Sequence, residues 1–259
     1  MKIFVLTVLL IGGVMSKTLK DDDFDDEENE VQGGYENMIK DPCSKKVCGL
    51  GKECDLDEDN KPICVCTRKC ALEEDPRAKV CSTMNVTFES ECELYRQKCL
   101  CRRNQQGCTD RENRRGHLDY FGECKEIPQC KDWELEEYPI RMRQWLYLVM
   151  EELANRRDLQ GQALKLAQEA KTKHNKKWVI PVIWKFCDLD KSMDKMISTR
   201  ELLPISAPLK PLEHCTGPFL ESCDKDGSGD ITLSEWGQCL GLESDDIEDM
   251  CETLRTPSQ

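Results

Sequence analysis

The chain has 259 residues, of which 39% are hydrophobic and 34% charged, and its formal net charge is −13. So acidic a surface disfavours nucleic acid and favours calcium or basic partners. After the first residues no stretch approaches the roughly 20 apolar residues that a membrane span requires. No Ser-His-Asp order, zinc constellation or phosphate loop points to an enzyme.

In chain order, Lys2, the apolar run Ile3–Met15 and the small residue Ser16 predict a secretory signal peptide over 1–16. Residues 17–42 form an acidic arm whose run DDDFDDEENE holds eight acids in ten positions. Self-repulsion predicts disorder there, with low-affinity, multivalent attraction of calcium. Eighteen cysteines and three scattered histidines then read as a disulfide framework, not as zinc ligands. Thirteen of the cysteines lie between Cys43 and Cys130 and only five beyond it. That asymmetry predicts a small cross-linked domain over 43–129, followed by a larger one with its own core over 130–259.

Between Cys43 and Cys70, closely spaced cysteines, the turn residues Gly49 and Gly51, and a tip at Asp57-Glu58-Asp59-Asn60 predict an EGF-like β-hairpin. Asn85-Val86-Thr87 is an N-glycosylation sequon. Cys101 and Cys108 stand close together, and the basic stretch Arg111 to His117 after them is a candidate contact for heparin-like sugar.

Past Cys130 the texture turns helical. Ile140 to Ala154 places Met142, Leu146, Val149 and Leu153 on one face. Residues 156–177 read as a solvated helix or linker. The segment LLPISAPLKPLEHC, with three prolines and no helical period, reads as an extended and unusually apolar connection.

Two stretches carry metal chemistry. In DKDGSGDITLSE, Asp224, Asp226, Ser228, Asp230, Thr232 and Glu235 fall at positions 1, 3, 5, 7, 9 and 12 of a calcium loop. Gly229 stands at position 6, where the chain must turn, and Ile231 at position 8, where two such loops pair. In DKSMDKMISTRE, Asp190, Ser192, Asp194, Met196, Ser198 and Glu201 fill the same positions, with Ile197 at position 8. Position 6 is Lys195, for which a left-handed turn costs about 1–2 kcal/mol. The 224–235 loop is therefore expected to bind calcium more strongly than the 190–201 loop.

From Cys66 the run CTRKCALEEDPRAKVCSTMNVTFESECELYRQKC resembles the Kazal family. An EGF-like hairpin joined to a Kazal-like unit resembles a follistatin-like domain. The whole order of arm, cysteine-rich domain, RMRQWL, IPVIWKF, APLKPLEHC and a calcium loop between Cys223 and Cys239 resembles the SPARC (osteonectin) family, as a divergent, invertebrate member. The resemblance implies an α+β multidomain protein, with a disulfide-rich follistatin-like domain followed by an α-helical extracellular calcium-binding domain built on an EF-hand pair. It further implies a secreted matrix and basement-membrane glycoprotein that binds the collagen triple helix.

Carried over residue by residue, the collagen surface falls on Arg141, Leu209, Leu212 and Glu213. Leu148 stands where the family has an asparagine, so one polar contact is missing. The segment after RMRQWL is short for the family, which implies a collagen surface that needs no proteolytic unmasking. Family pairing implies the bridges Cys43–Cys54, Cys48–Cys64, Cys66–Cys99, Cys70–Cys92, Cys81–Cys124, Cys130–Cys215 and Cys223–Cys239. That leaves Cys101–Cys108 and Cys187–Cys251. Growth-factor binding through the follistatin-like domain is a further expectation. The alternative function is Kazal-type protease inhibition with Leu72 as specificity residue, although the ten residues between Cys70 and Cys81 make a long loop for that purpose.

Overall fold

The computed structural model describes residues 41–255, so the expected signal peptide (1–16) and nearly all of the acidic arm (17–42) lie outside the described residues. The chain divides into two units between Lys125 and Glu126. All eighteen cysteines are paired, as 43–54, 48–64, 66–99, 70–92, 81–124, 101–108, 130–215, 187–251 and 223–239.

The N-terminal unit has little apolar surface to bury and is held largely by its bridges. Strands β1 (Lys52–Leu56) and β2 (Pro62–Cys66) form an antiparallel hairpin with Cys54 opposite Cys64. Its tip is closed by Asp57, whose Oδ1 accepts from the backbone N–H groups of Asp59 and Lys61 at 2.9 and 2.8 Å. Asn60 takes the left-handed conformation there, with φ of 61°. A three-stranded sheet follows in the order β4 (Thr87–Phe88), β3 (Val80–Ser82), β5 (Leu118–Phe121).

Helix α1 (Glu91–Arg102) is started by Ser90, whose hydroxyl accepts from the Glu93 N–H. It buries Leu94, Tyr95 and Leu100 and carries Cys92, Cys99 and Cys101 into three separate bridges. Gly51 touches this helix so closely that a Cβ would come within 2.2 Å of the Tyr95 carbonyl, and its φ is +70°. Only glycine meets both demands.

The C-terminal unit is helical: α2 (Asp132–Asn155), α3 (Gly161–Thr172), α4 (Val179–Leu189), α5 (Leu203–Leu209), α6 (Thr216–Cys223), α7 (Leu233–Cys239) and α8 (Cys251–Arg255). Short strands β6 (Met196–Ser198) and β7 (Asp230–Thr232) pair antiparallel between them. Helix α4 is buried on nearly every side because VIPVIWKFCDL carries only two charged residues, Lys185 and Asp188, which pair with each other at 2.7 Å. It serves two cores at once. Val182, Ile183 and Phe186 pack with Met142, Leu146 and Trp236, while Ile180 and Trp184 pack with Val149, Met150 and Leu166. The indole N–H of Trp236 donates to the Val182 carbonyl at 2.9 Å, joining α7 to α4 inside the core.

Three sequence expectations change here. Helix α2 starts at Asp132, ahead of Tyr138-Pro139, and runs through Pro139. The proline removes one backbone donor, and the apolar face on either side of it keeps the helix continuous. Helix α3 is not solvated all round, since Leu166, Ala167 and Ala170 are buried. LLPISAPL is helical, not extended: Pro204 sits in the first turn, where it needs no donor, and Ile205, Ala207 and Leu209 are buried.

Candidate metal centre

The 224–235 loop is built between two helix ends. Helix α6 ends at Cys223 and delivers Asp224; α7 begins after Thr232, its N-cap, and presents Glu235 at the third helical position. Thr232 Oγ1 accepts from the Glu235 N–H while Glu235 Oε2 accepts from the Thr232 N–H at 2.9 Å and its hydroxyl at 2.7 Å. The other oxygen, Oε1, accepts from the N–H groups of Lys225 and Asp226 at 2.9 and 3.3 Å. Glu235 thus ties the start of the loop to its end.

Asp224 folds the middle inward, Oδ1 accepting from Ser228 N–H at 3.1 Å and Oδ2 from Gly229 N–H at 2.9 Å. As a result, carboxylate oxygens of Asp224, Asp226 and Glu235 lie within 4.8 Å of one another. Hydrogen bonds from Ser228 hold the Asp226 carboxyl below its ordinary pKa. Burial pushes the Glu235 carboxyl up, and donors from Thr232, Lys225 and Asp226 outweigh it, so the group ionises below its usual range. Converging anionic oxygens with a carboxylate closing the far side suit a hard divalent cation, and calcium above all.

The 190–201 loop copies this frame. Glu201 Oε1 accepts from Lys191 and Ser192 N–H at 2.8 and 2.9 Å, and Oε2 from Ser198 N–H and hydroxyl at 3.0 and 2.8 Å. The two turns have the same handedness: Met193 and Lys195 stand at φ of 63° and 69° where Gly227 and Gly229 stand at 71° and 94°. The first loop therefore holds two non-glycine residues in the left-handed region, of which sequence reading anticipated only Lys195. Ile197 faces Ile231 across β6–β7, and both are buried.

The charges differ. Four acids face one base in 224–235, against three acids and three bases in 190–201. Among the described residues the carboxylates of 190–201 form no cluster like that of the second loop. Asp190 is fully buried, and its Oδ2 meets Arg255 Nη2 at 3.0 Å. Lys195 Nζ pairs with Asp249 at 3.0 Å. No local pattern joins Arg255 to a loop 65 positions earlier, and sequence reading missed it.

The residues carried over as a partner surface are only partly assembled. Arg141 Nη1 and Glu213 Oε2 lie 3.1 Å apart, with the arginine side chain 47% exposed. The guanidinium stands over the Tyr138 ring, 5.3 Å from its centroid. Leu212 is 44% exposed beside Glu213, whereas Leu209 is 3% exposed and belongs to the core. Helix α5 turns Leu209 inward, so it supports this face from beneath and is not a contact residue on it. Leu148 is half-buried. Asn85 is exposed, and Leu72 is 86% exposed. The core partners of α3 on α2 are Val149 and Met150, near its C-terminal end, whereas Arg141 sits in its N-terminal half.

A family model described as "Secreted protein acidic and rich in cysteine Ca binding region" matches residues 127–239. SPARC of Caenorhabditis elegans is 43% identical over 240 residues, covering 92% of this chain and 89% of its own. SPARC of Bos taurus is 36% identical over 254 residues, covering 87% and 81%, and SPARC of Gallus gallus 35% over 249 residues, covering 85% and 81%. The chain therefore belongs to the SPARC family of secreted, calcium-binding matricellular proteins, which are not enzymes.

Proposed function

We propose that the helical unit is an EF-hand pair that uses calcium to hold a collagen-binding face in shape, and that the protein acts in the basement membrane. The convergence of Asp224, Asp226 and Glu235 carries the calcium reading. The proposed ligands are Asp224, Asp226, Ser228, Asp230, Thr232 and Glu235 in the stronger loop. Asp190, Ser192, Asp194, Met196, Ser198 and Glu201 are those of the weaker one. Bound calcium supplies the positive charge that lets the carboxylates share one small volume. The residues do the rest. Helix α6 leads into the loop and carries Thr216 and Phe219, which hold Tyr138 by a 2.7 Å hydroxyl contact and a 4.7 Å ring contact. Tyr138 in turn lies under Arg141.

A collagen triple helix offers extended chains with exposed carbonyls and bulky side chains. Arg141 is suited to donate to such a carbonyl, Glu213 to accept, and Leu212 to add apolar contact. Arg141→Ala tests this reading: binding to immobilised triple-helical collagen should fall at least about tenfold, roughly 1.4 kcal/mol. Undiminished binding would refute the assignment.

The N-terminal unit, proposed to span 43–129, fits a follistatin-like domain of EGF-like hairpin and Kazal-like sheet and helix. Asn85 is proposed to carry a glycan, and the basic stretch at 111–117 to meet heparin-like sugar. Growth-factor binding would belong to the same unit. Exposure of Leu72 favours protease inhibition as a second reading; nanomolar inhibition of a chymotrypsin-like protease would establish it.

A further inference from the structure

The end of α8 lies against the start of the 190–201 loop. Arg255 Nη2 is 3.0 Å from Asp190 Oδ2, 2.6 Å from the Asp190 carbonyl and 3.2 Å from the Cys187 carbonyl. The guanidinium thus caps the C-terminal end of α4 and neutralises a carboxylate that has no exposed surface. It is not a chance surface pair. The Cys187–Cys251 bridge fixes α8 to α4 one turn earlier, and Leu254 packs on the core beside it.

Nothing equivalent is needed in the other loop, whose position-1 carboxylate, Asp224, is half-buried and takes backbone N–H donors from Ser228 and Gly229. We propose that Arg255 is the resident cation of the 190–201 loop. It holds Asp190 and the loop entrance in place without calcium, and its charge lowers the affinity of that loop for divalent ions. The 224–235 loop is left as the working calcium site.

Charge decides the direction of the effect. The loop itself is balanced between three acids and three bases, and Arg255 adds one further positive charge directly against its position-1 carboxylate. A divalent ion feels that charge twice over, at a position poorly screened by solvent. Pre-organisation acts the other way but is weaker, because Glu201 and the Lys195 N–H bond to Asp190 still tether the loop when Arg255 is replaced, leaving it looser but not open. The proposal rests on reading the two loops as EF-hands.

Its test is calcium calorimetry on the full chain for wild type, Arg255→Gln and Arg255→Lys, joined to amide exchange over 191–196 in chelator. In Arg255→Gln the weaker calcium step should tighten by roughly tenfold or become measurable, while Arg255→Lys, which keeps the charge, should behave as wild type. In chelator, exchange over 191–196 should speed up in Arg255→Gln. An unchanged or weaker second step, or unchanged exchange, would overturn the role of Arg255. Absence of any tight step in wild type would instead count against the EF-hand reading, and the exchange data would still decide on Arg255.

Discussion

The hydroxyls of Tyr138 and Thr216 lie 2.7 Å apart in the buried seam between α2 and α6. This contact joins the helix bearing Arg141 to the helix that enters the 224–235 loop. Burial pushes the Tyr138 phenol up to about 12, so it stays neutral and available for the bond at any physiological pH. Thr216→Val should leave that buried hydroxyl without its partner and cost about 1–3 kcal/mol of unfolding free energy, read from urea denaturation in calcium. Adding Tyr138→Phe should recover part of the loss, because both partners are then apolar.

Glu235 has two roles, and its replacement should show both. Glu235→Gln removes a charge from the converging carboxylates and weakens the reciprocal cap on α7. The tight calcium step should weaken by at least about tenfold, roughly 1.4 kcal/mol. In chelator the variant should also lose about 0.5–1 kcal/mol of stability through the cap. Calorimetry and denaturation separate the two effects.

Gly51→Ala should disrupt the N-terminal unit, since the added methyl would enter the Tyr95 backbone and the left-handed φ would be strained. A cost above about 2 kcal/mol is expected. Secretion yield and the homogeneity of the disulfides, by non-reducing peptide mapping, are the measurements.

The acid limit of stability follows from the carboxyls. A backbone donor from Lys131 and the His214 side chain hold Glu134 below its ordinary range. Donors from Cys251 and Lys195 do the same for Asp249. Each group has a folded pKa depressed below its unfolded value, so its contribution is complete above the unfolded value, about 4. It is lost as pH falls through the folded value. In chelator, unfolding free energy should hold steady from pH 7 to about 5 and drop progressively below pH 4. A maximum near pH 4 would contradict this.

The frame shared by the 190–201 and 224–235 loops was the most legible part of the sequence because each position has a separate chemical demand. Glycine at 229 and isoleucines at 197 and 231 satisfy demands that ordinary acidic turns do not make. The inner face of α2 was also legible, since Met142, Leu146 and Val149 keep helical spacing. What escaped was decided by tertiary contact. Prolines in LLPISAPL argued for extension, yet a first-turn proline favours a helix once Ile205 and Leu209 have a core to enter. That same turn took Leu209 off the surface where the family resemblance had placed it. Arg255 carries no local signature at all. Its role exists only because a disulfide and a core contact bring α8 to the end of α4.

Calcium in the 224–235 loop is expected to control the face around Arg141. The direct measurement is a calcium titration of binding to triple-helical collagen, for wild type and Glu235→Gln. Binding should rise with occupancy of the tight site, vanish in chelator, and require at least about tenfold more calcium in the variant. Binding that persists in chelator, or the same calcium requirement in both proteins, would contradict it.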